Sequence, residues 1–177
     1  VSYIDECTEL DVIRCLKDIY WEVRPKPDFG TIEIRICDTP LTIFHAAMLG
    51  GYAQMLVKYL LNNRNERVRA RDSIIFDNTF NAQRYGFDAP YIDAAQHQRI
   101  SIKTHIRQTL TELEREADDT ERKVLSYIAD YVSQGINDAD EIRNRMQQGM
   151  SESDIVRAMM DMLVPTEHIT HSTSTIT

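Results

Sequence analysis

A run that reads as two strands joined by a tight turn, YWEVRPKPDFGTIEIRICDTP at residues 20–40, constrains the fold more than any other feature. Its first part, through Arg24, is aromatic and β-branched, and residues 25–30 are dense in turn formers. Residues 31–37 then alternate strictly, which places isoleucines on one face and polar side chains on the other. The polar face carries Thr31, Glu33, Arg35 and Cys37. The pattern therefore predicts an antiparallel hairpin with one apolar face and one charged face.

The residues leave two interpretations of the charged face open. Directly opposite residues of antiparallel strands point to the same side, so a register that pairs Glu22 with Glu33 also brings Arg24 onto this face. In the first interpretation the face is solvated and carries cross-strand ion pairs, each contributing about 0.2–1 kcal/mol. In the second, the carboxylates and guanidiniums form a binding site.

Composition narrows the classes of function. The chain has 177 residues, of which 42% are hydrophobic and 27% charged, as is usual for a soluble globular domain. The net charge of −8 argues against a nucleic-acid partner, which requires clustered Lys and Arg. No apolar run approaches the length of a membrane span, and no signal-peptide pattern is present. We therefore expect neither nucleic acid nor membrane as a partner.

The cysteines and histidines give little support for a metal site. The three cysteines have no Cys-x-x-Cys spacing, which argues against a disulfide framework or zinc site and favours a reducing cytoplasm. His168 and His171 have a metal-like spacing, but they lie in a Thr- and Ser-rich tail at residues 166–177 that we predict to be disordered. The chain begins with Val rather than Met, which is compatible with a missing start.

Helical periodicity dominates the sequence outside the hairpin. Thr8 is predicted to cap a short first helix. Asp38 or Thr39 is predicted to cap a long helix with Pro40 at or near its first position. Within that helix, Gly50 and Gly51 suggest a close crossing against the sheet.

The second half of the sequence predicts further helices and one weak ribbon. A helix over residues 72–85 should bury Ile75, Phe76, Thr79 and Phe80 and end at Gly86. Weak strands are expected within residues 90–102. The four helices that follow are predicted to begin at Ser101 or Lys103, Asp118, Asn137 and Ser151, with Pro165 closing the last.

The runs WEVRP at residues 21–25, GTIEIR at 30–35 and DTPLT at 38–42 resemble the carboxylate-amine ligases of the bacterial glutamate–cysteine ligase type 2 family. The resemblance continues through NAQRYG at residues 81–86. It implies an α+β fold, in which an antiparallel sheet fragment of a glutamine synthetase-like catalytic domain packs with a helix-rich C-terminal half. Residues 1–165 would then form the C-terminal part of a ligase-like domain, because family members are longer and extend upstream.

The resemblance also implies an enzymatic activity and roles for particular residues. A carboxylate would attack ATP, and an amine would displace phosphate from the resulting acyl phosphate. Such a site needs magnesium and guanidinium groups to neutralise the approaching anions. By position, Glu33 would bind Mg²⁺ and Arg35 would be the catalytic arginine at the transferring phosphate or the substrate carboxylate. Arg24 and Arg84 would contact ATP or substrate.

The resemblance further implies that this chain carries only part of the site, because family members draw more metal-binding carboxylates from upstream strands. The expected partners are small-molecule carboxylate and amine substrates, together with a missing N-terminal part of the enzyme or other copies in a homo-oligomer. Alternatively, the chain is a non-catalytic helical remnant or a module that binds a partner protein.

Overall fold

The computed structural model describes residues 3–63 and 70–163 and combines helices with small antiparallel sheets. Its helices are α1 Tyr3–Glu9, α2 Ile43–Asn62, α3 Asp72–Tyr85, α4 Ile102–Glu114, α5 Asp119–Gln134, α6 Asp138–Gln147 and α7 Glu152–Leu163. Its strands are β1 Val23–Lys26, β2 Thr31–Ile34, β3 Pro90–Asp93 and β4 Gln98–Ser101. The predicted α+β class is therefore confirmed as a mixture of helix and small antiparallel sheet.

The chain divides into two compact units, Val1–Thr39 and Pro40–Thr177, which we call the hairpin unit and the helical unit. Within the described ranges, no helix has the length and apolar character needed to cross a membrane. The predicted closure of the last helix by Pro165, the pair His168 and His171, and the predicted disordered tail all lie outside the described residues.

In the hairpin unit, β1 pairs with β2 in the antiparallel register that puts Arg24 opposite Glu33. A short 3-10 turn and Gly30 join the strands, and Gly30 has a φ of 61°, which glycine adopts without strain. The Arg35 N–H donates to the Glu22 carbonyl at 2.7 Å, so the pairing continues one residue beyond β2. The register therefore places Lys26 on the same face as Arg24, Glu33 and Arg35.

The opposite, apolar face of the hairpin is largely uncovered. Val23 stands opposite Ile34, and Ile32 precedes Ile34 by two residues on the same face. Val23 and Ile32 are each 50% exposed, and Ile34 is 42% exposed. The predicted segregation of apolar and charged side chains is present, although the isoleucines do not form a buried core.

The predicted start of the first helix is wrong. Thr8 lies near the end of α1 rather than before its beginning, and its hydroxyl donates to the Ile4 carbonyl at 2.8 Å. Leu10 and Val12, through which a helix capped by Thr8 would run, instead follow α1 and are each 67% exposed.

The core of the helical unit lies between α2, α4 and α5. Its buried side chains are Met55, Leu110, Leu113, Ala117 and Leu125. Three- and four-residue spacing brings each set of apolar side chains to one face of its helix, and these faces pack together. Gly51 lies at this interface, because a Cβ at this position would be 3.2 Å from a methyl group of Val124 on α5. The close crossing predicted against the sheet is therefore made against a helix.

The predicted starts of the C-terminal helices are confirmed by side-chain caps. The Asp118 carboxylate accepts hydrogen bonds from the backbone of Thr120 and Glu121, and the Glu121 side chain accepts in return from the Asp118 N–H. Asn137 forms the same reciprocal arrangement at α6. The Ser101 and Ser151 side chains accept a backbone N–H at the beginnings of α4 and α7. These local signals could be read from sequence because each cap involves residues within one helical turn.

The predicted cap of α2 is wrong. Neither Asp38 nor Thr39 caps the helix, which begins at Ile43, and Pro40 precedes it by three residues. The Thr42 side chain accepts the N–H of His45 at 3.0 Å and is the actual cap. Two Thr residues near Pro40 satisfied the same sequence rule, and the fold uses the later one.

The bounds of α3 and its end at Gly86 are confirmed, whereas its predicted buried side is wrong. Phe76 is 73% exposed and Phe80 is 50% exposed. The face of α3 that meets the second sheet is polar. The Asn78 side chain accepts the Ile92 N–H at 2.7 Å and donates to the Ile92 carbonyl at 3.0 Å, and thereby pairs with the outer edge of β3.

Candidate functional site

The charged face of the hairpin is organised around the Glu33 carboxylate. Arg24 donates from Nε at 3.0 Å and from Nη2 at 2.7 Å to Oε2 of Glu33. The Lys26 ammonium lies 3.1 Å from the same oxygen. Nη1 of Arg35 lies 3.7 Å from Oε1. One carboxylate is therefore surrounded by three cations. Arg24 and Lys26 lie at Oε2, and Arg35 lies at Oε1.

Arg24 is the buried member of this group, with 8% of its side chain exposed. Its Nη1 donates to the carbonyls of Lys17 at 2.9 Å and Ile19 at 3.4 Å. The guanidinium thus joins β1 and β2 to the segment that precedes the hairpin. Because buried charge requires compensation, the contact with Glu33 and the two carbonyls explains how Arg24 is tolerated in this position.

The same contacts set the ionisation of Glu33. The hydrogen bonds from Arg24, and then that from Lys26, hold the pKa of the Glu33 carboxyl below its usual range. Partial desolvation opposes this effect but is smaller. Glu33 is therefore a carboxylate at neutral pH, the form that both an ion pair and a metal ligand require.

Lys26 and Arg35 are accessible, whereas Arg24 is not. Their side chains are 31% and 36% exposed, respectively. The Arg35 guanidinium lies 5.4 Å from the centre of the Tyr20 ring, a cation–π contact that orients it without using its hydrogen-bond donors. Both cations can therefore reach a ligand at the surface of the charged face.

Glu33 fits a magnesium ion as one ligand among several. Oε2 already accepts two N–H groups of Arg24 and lies 3.1 Å from the Lys26 ammonium, so Oε1 is the oxygen that remains for a metal. Mg²⁺ is often held by one or two carboxylates together with phosphate oxygens and water. Within residues 3–63 and 70–163, no three His, Cys, Asp or Glu side chains converge as a metal-binding group. A metal held by Glu33 would therefore take some of its ligands from outside the described residues, such as substrate or water.

The structure brings together three of the residues singled out in the sequence: Arg24, Glu33 and Arg35. Arg84 belongs to the helical unit, in the last turn of α3, where it is exposed and its guanidinium lies 5.6 Å from the Tyr85 ring centre. The structure adds Lys26 to the group around Glu33, although the sequence had not singled it out. Period-two alternation from Arg24 would have placed it on the charged face, but the turn-forming composition of residues 25–30 hid this signal.

A second polar cluster, in the helical unit, is structural in character. Asp138 accepts from the Leu41 N–H at 2.9 Å and from the Tyr131 hydroxyl at 3.1 Å, and it lies 3.3 Å from Nδ1 of His45. Burial, followed by the charge of Asp138, raises the pKa of Tyr131 to about 12. Asp138 thus ties the segment before α2 to α5 and α6.

The chain is similar to known proteins over nearly its whole length. A family model described as glutamate-cysteine ligase family 2 matches residues 1–160. A protein from Polaromonas naphthalenivorans is 34% identical over 161 residues, which cover 90% of this chain and 42% of that protein. A protein from Verminephrobacter eiseniae is 37% identical over 158 residues, covering 88% and 42%, respectively. Both are named "Putative glutamate--cysteine ligase 2". The chain thus spans less than half the length of these relatives.

Proposed function

The chain belongs to glutamate-cysteine ligase family 2, and from this premise we propose that it carries part of the active site of an ATP-dependent carboxylate–amine ligase. One observation supports the proposal above all: the Arg24–Glu33 pair, of which only Arg24 is buried, is flanked on the same face by two accessible cations, Lys26 and Arg35. A surface ion pair that served stability alone would not need further positive charge beside it.

The proposed reaction has two steps. The substrate carboxylate attacks the terminal phosphorus of ATP, and the bond to the bridging oxygen breaks to give an acyl phosphate and ADP. The amine then attacks the acyl carbon, loses a proton and displaces inorganic phosphate, leaving an amide. The first step brings two anions together, and the second develops negative charge on the acyl oxygen and the departing phosphate, so positive charge fixed in advance lowers both barriers. The family and the names of the relatives support glutamate as the carboxylate and cysteine as the amine.

The residues would divide this work according to their exposure. Arg35 contacts the transferring phosphate or the substrate carboxylate, because its planar fork of donors matches either group. Arg24 holds Glu33 in place. We also propose that Arg24 contacts ATP or substrate directly. Glu33 presents Oε1 to Mg²⁺, which supplies charge neutralisation at the phosphates. Arg84 is a further candidate for contact with ATP or substrate.

The proposal extends to the rest of the enzyme. The hairpin would belong to a glutamine synthetase-like catalytic sheet whose other strands and carboxylates come from the N-terminal part of the protein or from another copy. The three cysteines are free thiols, which agrees with the proposed cytoplasmic location.

A chimera tests the proposal. Residues 1–160 would replace the matching segment of the Polaromonas naphthalenivorans relative, and release of ADP would be measured with ATP, magnesium, glutamate and cysteine. We expect turnover that requires both glutamate and cysteine. The isolated chain should bind MgATP weakly and release no ADP in response to an amine.

The Glu33→Gln chimera is the decisive control. Gln keeps the shape of the side chain and removes its charge, so loss of metal binding should lower turnover by orders of magnitude. Circular dichroism would establish that both chimeras are folded. Full activity in the Glu33→Gln chimera, combined with a lower melting temperature, would make Glu33 a structural ion pair and refute its assignment as a metal ligand.

The uncovered isoleucine face supports a second candidate, a non-catalytic module that binds a partner protein. Val23, Ile32 and Ile34 present apolar surface beside two short strands. A chimera that folds but never releases ADP, together with an isolated chain that self-associates in sedimentation, would favour this module over the ligase.

A further inference from the structure

We propose that Lys26 and Arg35 form a two-armed clamp for an oxyanion, in which Lys26 is the second arm beside Arg35. The inference rests on the proposed function, because the oxyanion is then a phosphate group of the nucleotide or the carboxylate of the substrate. Phosphate and carboxylate share the chemistry that matters here, which is negative charge on oxygens that accept hydrogen bonds.

The charge balance of the face supports the clamp. Arg24 donates twice to the partly exposed Glu33, so the charges of this pair already balance each other. Lys26 and Arg35 are then surplus cations on the same face. The register also places Glu22 opposite Arg35, and even with this exposed carboxylate the five groups carry one net positive charge. A small surplus of fixed positive charge on a surface of a chain with a net charge of −8 is a local attraction for an anion.

The geometry supports two arms rather than one. Lys26 lies 3.1 Å from Oε2 of Glu33, whereas Arg35 lies 3.7 Å from Oε1. The two cations therefore contact different oxygens of one carboxylate, and an oxyanion above Glu33 could accept from both. Lys26 supplies a flexible point charge and Arg35 a planar fork, so the two donors complement each other.

A purely structural role for Lys26 makes a different prediction. If the ammonium serves only to balance Glu33, its removal should lower the stability of the hairpin and leave anion affinity unchanged. If it belongs to the clamp, anion affinity should fall, and another cation at the same position should restore it. The anion affinity after removal of the ammonium, and its recovery with another cation at the same position, therefore distinguish the two roles.

The experiment is a titration of the full chain, without magnesium, using tripolyphosphate in one series and glutamate in the other. Backbone amide shifts of β1 and β2 and the indole signal of Trp21 report binding in the hairpin unit. The variants are Lys26→Met, Lys26→Gln as a second neutral form, Lys26→Arg, and Arg35→Met for the other arm. Lys103→Met is the matched control, because Lys103 is similarly exposed and pairs with Asp88 in the helical unit.

We expect the tripolyphosphate dissociation constant to rise about tenfold in Lys26→Met, the effect of losing one charge-assisted contact. Lys26→Arg should recover most of the affinity, and Lys103→Met should match the wild type. If the dissociation constant for glutamate rises instead of that for tripolyphosphate, the clamp binds the substrate carboxylate.

The outcomes distinguish failure of this inference from failure of the proposed function. Weaker binding by Arg35→Met with unchanged binding by both neutral Lys26 variants would overturn the role of Lys26 and leave the ligase proposal intact. Failure of the wild-type chain to bind either anion would overturn the clamp, and the chimera's turnover would still decide the function.

Discussion

The two units of this chain are stabilised in different ways. In the helical unit, apolar side chains of α2, α4 and α5 meet in a buried cluster around Met55 and Leu113. In the hairpin unit, apolar strand residues are half exposed, and the best-buried strand side chain is the charged Arg24. The helical unit therefore depends mainly on burial of apolar area, and the hairpin unit depends strongly on a network of charge-assisted hydrogen bonds.

The candidate site lies on the hairpin unit, which is the less apolar of the two. A charged network can be remodelled by a ligand or by pH, whereas close-packed side chains change little without loss of stability. The two units also have separate reporters, because the single tryptophan, Trp21, lies in the hairpin unit. Its fluorescence follows the hairpin, and far-UV circular dichroism follows mainly the helices.

Leu125→Ala should give the largest loss of stability. Leu125 is 5% exposed within the helical core, so truncation leaves a cavity and should lower the free energy of unfolding by about 2–5 kcal/mol. Urea titration followed by circular dichroism measures this loss, and Leu61→Ala, at a side chain that is 51% exposed, is the control. An equal effect of the two substitutions would contradict the proposed core.

Arg24→Met should destabilise the hairpin unit by about 2–4 kcal/mol, because Glu33 and two carbonyls lose their charged donor. The urea transition of Trp21 fluorescence should move to lower urea. Lys17→Met is the control, since only the carbonyl of Lys17 takes part in the network. If the two variants unfold alike, the network is not what stabilises this unit.

Acidification should produce a smaller effect of predictable sign. The folded-state pKa of Glu33 is held below its unfolded value, chiefly by Arg24. Its contribution to stability is therefore complete above the unfolded pKa of about 4.5 and is lost as pH falls through the lower folded value. The stability followed by Trp21 should decline below pH 4.5.

Glu33→Gln should make this decline shallower without abolishing it. The remaining slope should come from Asp18, whose pKa is also lowered, by hydrogen bonds from the backbone of Arg14 and Cys15. Identical pH profiles for the wild type and Glu33→Gln would show that the Glu33 pair does not contribute to stability.

The sequence predicted best what is decided within a few residues. The capping box of Asp118 and Glu121 and the left-handed Gly135 fix both ends of α5 through contacts inside a single turn. Strand alternation likewise placed Arg35 and Glu33 on one face.

Long-range packing was predicted poorly, because burial depends on which other elements arrive. Phe76 and Phe80 have the spacing of a buried face, yet it is the polar face with Asn78 that meets β3. Gly51 signalled a close approach, but its spacing carried no information about the partner, which is α5. Lys26 was missed for a local reason. The prolines on either side of it indicated a turn, whereas the strand continues to Lys26.

The hydrogen bonds between Asn78 and Ile92 depend on the amide form of the Asn78 side chain. One amide group both accepts a hydrogen bond from the outer edge of β3 and donates one to it. A peptide unit of a neighbouring strand would make the same pair of hydrogen bonds. Deamidation converts this amide into a carboxylate, which accepts but cannot donate. The Ile92 carbonyl would then lose its donor and face a negatively charged oxygen, which would weaken the contact that covers this edge of the sheet. Ageing of the protein at this residue would therefore expose a strand edge, the feature that most readily recruits other chains into aggregates.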